Sequence, residues 1–207
     1  MANEQETFWK HTISNEYIAD NSNYDLESGL TGWKVVLDKL PVADLVSILE
    51  LGCNVGRNLG ILRNLFPDIS LNAVEINAQA LKVADMNYNL DSKFAGSISA
   101  YETNKMFDLV FTSGVLIHIH PDNLFDTMKK MYDLSSRFII MIEYFNRTPV
   151  TIEYRGEPNK LFKCDFGKIF IENFPVKLID VGFLWGHIYD SAGFDDVTYW
   201  VFEKNVG

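Results

Sequence analysis

Glu50, Gly52, Asn54 and Gly56 stand between an apolar run at 46–51 and a stretch at 57–66 in which Leu59, Leu62, Leu65 and Phe66 recur at helical spacing. A glycine turn between strand and helix lets a ligand approach the backbone without meeting a Cβ. It also aims the first helical N–H groups into the crevice. Glu75 falls near the end of the next apolar run, at 70–76. Doubly wound folds place there a carboxylate that accepts bonds from ribose hydroxyls. The set implies a nucleoside pocket. A dinucleotide fingerprint carries glycines at i, i+2 and i+5; here Gly52 and Gly56 lie at i and i+4 and Arg57 fills i+5.

Other residues could serve an acceptor. His118 and His120 follow a fourth apolar run, 107–112, at the carboxyl edge where such sheets bind ligands. An unperturbed imidazole has the right pKa for a general base near neutrality. Alternate positions at the start of a helix diverge, so one of the two is expected to face the acceptor, and His118 is the candidate. The segment 145–160 reads as a long irregular loop, and loops of this length beside a crevice are often lids. At its ends and within it lie Tyr144, Tyr154, Arg155 and Lys160. Arg155 could fork onto a carboxylate or phosphate while Lys160 adds a point charge. A surface pairing of Arg155 with Glu153 or Glu157 is the plainer alternative. Phe8, Trp9, Tyr17 and Tyr24 could form a flap or a helix packed on the sheet.

The elements that must position these residues alternate along the chain. Strands are expected at 46–51, 70–76, 94–98, 107–112 and 137–144, with helices at 57–66, 78–90, 121–134 and 162–174. The continuous apolar run 138–142 is that of a central parallel strand. Two last strands, 177–184 and 197–203, lack a helical pattern between them and suit an antiparallel hairpin added to the sheet edge. The fold class expected is α/β, a Rossmann-like doubly wound seven-stranded sheet, mostly parallel with one antiparallel strand. The whole of 1–207 reads as a single domain, with 1–40 as a helical cap and 145–161 as an acceptor-side loop.

Composition narrows the class. A chain of 207 residues with 47% hydrophobic content buries one sizeable core. A net charge of −10 repels a phosphate polymer, so a nucleic-acid target is disfavoured. Cys53 and Cys164 lack a metal-ligand or disulfide context, so reduced thiols in a cytoplasmic protein and no metal are expected. No apolar stretch approaches the ~20 residues of a membrane span.

The glycine turn resembles motif I of class I S-adenosylmethionine-dependent methyltransferases, E/D-x-G-x-G-x-G, with Asn54 in place of the middle glycine. Asn is the non-glycine residue that best tolerates positive φ, so the departure is physically mild. The resemblance covers essentially the whole chain. It implies S-adenosylmethionine as donor and S-adenosylhomocysteine as product. It also implies cofactor contacts from Glu50, Gly52, Asn54, Gly56, Glu75, Ile76, Ser97 and Thr112, with Ser97 where the family carries an acid for the adenine amino group. No Asn/Asp-Pro-Pro-Tyr/Phe follows the fourth strand, which argues against methylation of nucleic-acid bases.

A finer series is Phe8-Trp9-Lys10 with Tyr17 and Asn21, then 114–122, Glu143-Tyr144-Phe145-Asn146, Thr148-Pro149-Val150, Glu153-Tyr154-Arg155-Gly156 and Leu161-Phe162-Lys163-Cys164-Asp165-Phe166. It resembles the pseudaminic acid biosynthesis-associated methylases, found beside bacterial genes for nonulosonic acid surface sugars. That implies a small, anionic sugar or nucleotide-linked sugar as acceptor, in surface-glycan biosynthesis. Methyl transfer to a protein side chain or amine, and non-catalytic regulation by S-adenosylmethionine binding, are the other readings. Oligomeric state is open.

Overall fold

The structure, a computed structural model, describes residues 4–11, 24–189 and 194–205. Tyr17 and Asn21 lie outside the described residues. Helix α1, Glu4–His11, precedes α2, Leu26–Leu37, whose first turn is capped by the Asp25 carboxylate accepting from Glu27 N at 3.1 Å. The alternating body follows: β1 (Ser47–Leu51), α3 (Arg57–Leu65), β2 (Ser70–Glu75), α4 (Ala78–Tyr88), β3 (Ser92–Ala95) and β4 (Phe107–Ser113). A 3₁₀ turn at Leu116–His118 leads into α5 (Pro121–Leu134) and β5 (Ser135–Glu143). The chain continues through β6 (Val150–Tyr154), β7 (Glu157–Lys163), α6 (Phe166–Asn173), β8 (Val176–Leu184), the short α7 (Gly186–Tyr189) and β9 (Val197–Lys204).

The main sheet has seven strands in the order β3-β2-β1-β4-β5-β9-β8. The pairs from β3 to β5 are parallel, and β9 runs antiparallel to both neighbours. This is the expected doubly wound sheet. On β5, Phe138, Ile140 and Ile142 face one core while Ile139 and Met141 face the other, the period of two that a strand covered on both faces requires. Trp33, Leu59, Leu62 and Leu81 cover the first face from α2, α3 and α4. Met128, Met131, Phe166 and Phe170 cover the second from α5 and α6.

The last two strands form the expected antiparallel hairpin at the sheet edge, with β9 beside β5 and β8 outermost. Val201 and Phe202 of β9 are buried while Val181 and Phe183 of β8 are half exposed, so the more apolar strand takes the inner place. The segment 145–160 is not irregular. Most of it folds into a second, two-stranded sheet, β6 against β7, and β7 runs to Lys163, so the helix begins at Phe166 and not at 162. Its turn holds Arg155 at φ 53° and Gly156 at φ 81°, the two left-handed positions of a tight hairpin turn. Among the described residues, no helix is long and apolar enough to cross a membrane.

Candidate active site

The turn after β1 is built from left-handed backbone. Gly52, Asn54 and Gly56 have φ of 80°, 51° and 79°. A Cβ on Gly52 would stand 2.7 Å from Val115, and one on Gly56 2.8 Å from Ala84, so neither position admits a side chain. Gly52 N donates to Val74 O at 2.7 Å, tying the turn to β2.

Two carboxylates face this turn. Glu75, 5% exposed, accepts from Asn54 N at 2.7 Å through Oε2 and from Asn77 N at 2.8 Å through Oε1. Burial nevertheless raises its pKa. Glu50, 1% exposed, accepts from Asn58 Nδ2 at 2.8 Å, and Asn58 Oδ1 accepts from Trp33 Nε1 at 3.2 Å. Desolvation pushes Glu50 up to about 8. Among the described residues, Glu50 Oε2 and Asn54 Oδ1 are buried acceptors without a donor. Cys53 and Cys164 are free buried thiols whose pKa burial raises, which leaves them protonated and inert.

Glu50, Cys53, Asn54, Asn58 and Glu75 line a cavity of ≈ 720 Å³ at the carboxyl ends of β1, β2 and β4, within the range of about 300–1,000 Å³ typical of small-molecule sites. Glu50, Gly52, Asn54, Glu75, Ile76 and Ser97 all border it, as do His118, Tyr144 and Tyr154. Gly56 lies just behind, as the N-cap of α3. Thr112 does not reach the cavity: it is fully buried, its hydroxyl beside the Glu143 carboxylate, and Ser113 to Val115 form the wall instead. Ser97 Oγ lies 2.9 Å from Ser99 Oγ, which donates to Glu6 of α1.

On the opposite wall, His118 ends the 3₁₀ turn. Its Nδ1 lies 2.9 Å from Lys160 O; a carbonyl only accepts, so Nδ1 carries the proton and Nε2 the lone pair. Trp9 and Tyr154 pack on the ring at centroid distances of 4.2 and 5.0 Å. Burial lowers the imidazole to about 4, so it is neutral near pH 7. His120 instead N-caps α5, accepting from Asp122 N at 3.3 Å.

The remaining candidates separate. Tyr144 OH donates to Asp195 at 3.3 Å. Lys160 is 3% exposed, borders a second cavity and pairs with Glu4 of α1 at 2.8 Å. Arg155 stands exposed in the hairpin turn, 5.7 Å from the Tyr154 ring centroid, and borders neither cavity.

Three contributors escaped the sequence reading as site residues. Gln5 borders the cavity from α1. Asn58 orients Glu50. Glu143, fully buried, accepts from Val115 N (3.2 Å), Leu116 N (3.1 Å) and Ile117 N (3.4 Å), fixing the turn that bears His118. Burial raises it to about 7. An acid closing an apolar strand, the signal that marked Glu75, was available for Glu143 too.

Comparison with known proteins agrees with this geometry. Residues 48–136, from β1 into β5, match the methyltransferase domain family. NodS, an N-methyltransferase from Bradyrhizobium japonicum solved with S-adenosyl-L-homocysteine, superposes with a TM-score of 0.68 at 14% identity, covering 99% of this chain and 100% of that one. Coclaurine N-methyltransferase gives 0.75 at 11% identity, over 99% of this chain and 83% of that one. CalS10, an amino pentose methyltransferase from Micromonospora echinaspora, gives 0.65 at 10% identity, over 92% and 96%. No curated protein matches the chain. Residues 48–136 thus match a methyltransferase domain, and the chain as a whole shares its fold with these solved methyltransferases.

Proposed function

We propose that this protein transfers a methyl group from S-adenosylmethionine to a small-molecule acceptor, a sugar or nucleotide-linked or nonulosonic acid sugar. The observation that carries the donor is the pairing of two buried carboxylates with two unmet acceptors. Glu50 and Glu75 line the cradle, and Glu50 Oε2 and Asn54 Oδ1 lack donors among the described residues. Such a cradle repels a pyrophosphate and suits a cationic ligand rich in donors, whose positive charge favours the ionised form of Glu50 that burial alone disfavours. S-adenosylmethionine, with its sulfonium, ammonium and ribose hydroxyls, has that character. When bound, it supplies an electrophilic methyl group.

In this reading Glu75 receives the ribose hydroxyls on the lone pairs its two backbone bonds leave over. Glu50 and Asn54 face the cationic end, while Ile76 and Ser97 flank the base. Thr112 acts from behind, through Glu143. His118 offers Nε2 to the acceptor's proton. An imidazole held near 4 is a weak base, so alignment of the acceptor supplies most of the rate.

The sugar reading draws on α1. Trp9 Nε1 and Gln5 Oε1, a donor and an acceptor on residues bordering the cavity, are buried without partners among the described residues. A hydroxyl can satisfy either. The second reading, an amine acceptor, rests on the Glu6 and Asp126 carboxylates at the cavity wall, and the N-methyltransferase neighbours have that activity. A cytoplasmic setting accords with the free thiols.

Calorimetry with S-adenosylhomocysteine, followed by a methyl-release screen over sugar nucleotides, nonulosonic acids and amines, tests this. Heat with the nucleoside and turnover on a sugar are expected. No heat removes the donor assignment; turnover on amines alone replaces the acceptor, and heat without turnover on any acceptor leaves a regulator.

A further inference from the structure

Lys160 is the anomaly of the acceptor side. Its side chain is 4% exposed, yet it pairs with Glu4, whose side chain is 89% exposed and lies in the first turn of α1. A buried ammonium needs a counter-charge, and here an almost fully exposed carboxylate provides it. Lys160 also borders a cavity of ≈ 620 Å³ that shares Gln5, His120 and Asn123 with the main one. Thr151 adds a hydroxyl to its lining. The carbonyl of Lys160 meets His118 Nδ1 at 2.9 Å, so one residue joins this second cavity to the imidazole.

We propose that Lys160 is a carboxylate-binding subsite for the acceptor and that Glu4 occupies it as an internal stand-in until the acceptor arrives. The resident group is itself a carboxylate, so the exchange replaces like with like and leaves the ammonium paired throughout. Only the Glu4 side chain has to rotate into solvent. Trp9, five residues on, can stay packed on His118. A sugar acid anchored at Lys160 extends past His120 and Asn123 toward His118. The subsite deepens the methyltransferase reading and rests on it for the identity of its ligand as the acceptor.

The test uses the full chain without methyl donor. N-acetylneuraminate and its methyl ester, which differ in the charge, are titrated calorimetrically into wild type, Glu4→Gln and Lys160→Met. The wild type should prefer the acid over the ester by about tenfold, as a charge-assisted bond predicts. Glu4→Gln should bind the acid about fivefold tighter with the ester unchanged, because the competing state is gone. Lys160→Met should lose the preference. Equal acid affinity in Glu4→Gln and wild type, a preference that survives Lys160→Met, or no acid binding by Glu4→Gln at millimolar concentration each overturns the proposal. Should Lys160→Met fail to fold, the Glu4→Gln arm decides. S-adenosylhomocysteine titrated into the same preparations separates the two readings. Acid binding without nucleoside binding removes the methyltransferase reading and keeps the subsite; the opposite result removes the subsite alone.

Discussion

The two walls of the cavity are assembled over different lengths of chain. On the glycine-turn side, Glu75 takes its donors from Asn54 and Asn77, 21 and 2 positions away, and Glu50 takes Asn58 from 8 positions away. On the His118 side, the imidazole reaches Lys160 across 42 positions, Lys160 reaches Glu4 across 156, and Gln5 Nε2 donates to Asn159 O across 154. The first wall is a continuous strand-turn-helix-strand unit whose carboxylates take their donors from within the unit or the residues that follow it. The second depends on the β6–β7 hairpin and α1 meeting over the sheet. The difference teaches that one wall is preorganised and the other adjustable, which fits a constant donor facing a particular acceptor.

Substitutions can break that contrast. Glu75→Ala, on the preorganised wall, should have the largest effect. It strands two N–H donors and removes the proposed ribose acceptor, so affinity for S-adenosylhomocysteine should fall by about 100-fold. Calorimetry checks it, and retained affinity would mean the nucleoside binds elsewhere. Next comes Glu143→Ala, which leaves three N–H groups of the His118 turn without their acceptor. About 2 kcal/mol of stability should be lost in urea unfolding, with partial recovery in Glu143→Gln.

His118→Ala should lower turnover about tenfold, the small effect of a weak base, while nucleoside affinity stays at its wild-type value. Because the imidazole sits near 4, the wild-type rate should show no limb near pH 6.5 from this residue. Such a limb, lost in His118→Ala, would show that the ring is not desolvated as described.

Glu50 tests the electrostatics of the cradle. Its folded pKa of about 8 exceeds the ordinary 4.5. Protonation therefore favours the folded state, and this contribution is full below pH 4.5 and lost as pH rises through 8. Glu50→Gln should match wild type near pH 5 and exceed its stability at pH 8, the gap growing by on the order of 1 kcal/mol per pH unit between. A gap that does not change with pH would place Glu50 in contact with solvent or a cation. Arg155→Ala, outside both cavities, should have the smallest effect. Michaelis constants within about twofold of wild type are expected for a surface substitution, and a larger rise would bring the hairpin tip into the acceptor site.

What could be read directly from the chain follows this division. The strand and helix order, the left-handed turn at Gly52, Asn54 and Gly56, and the two acids beside it are encoded within short windows by apolar period and turn chemistry. The hairpin was missed because its turn is Arg155-Gly156 and not the usual Asn-Gly or Asp-Gly, although Val150-Thr151-Ile152-Glu153-Tyr154 alternates apolar and polar as a strand does. Thr112 was placed at the cavity by the family resemblance, at the end of the fourth strand. The pleat turns it away, and a one-residue shift along a strand decides which side a group faces.

The doubly wound order, the glycine cradle and the two carboxylates beside it are legible in the chain itself, since those features are local and their hydrogen bonds close within a few turns of chain. Only the tertiary structure decided that β9 enters the sheet ahead of β8, that Glu143 holds the His118 turn, and that α1 lays Trp9 and Glu4 against His118 and Lys160. Those contacts join segments far apart in the chain. Burial and charge pairing between distant elements leave no periodicity along the sequence, and only the packed molecule brings the partners within reach.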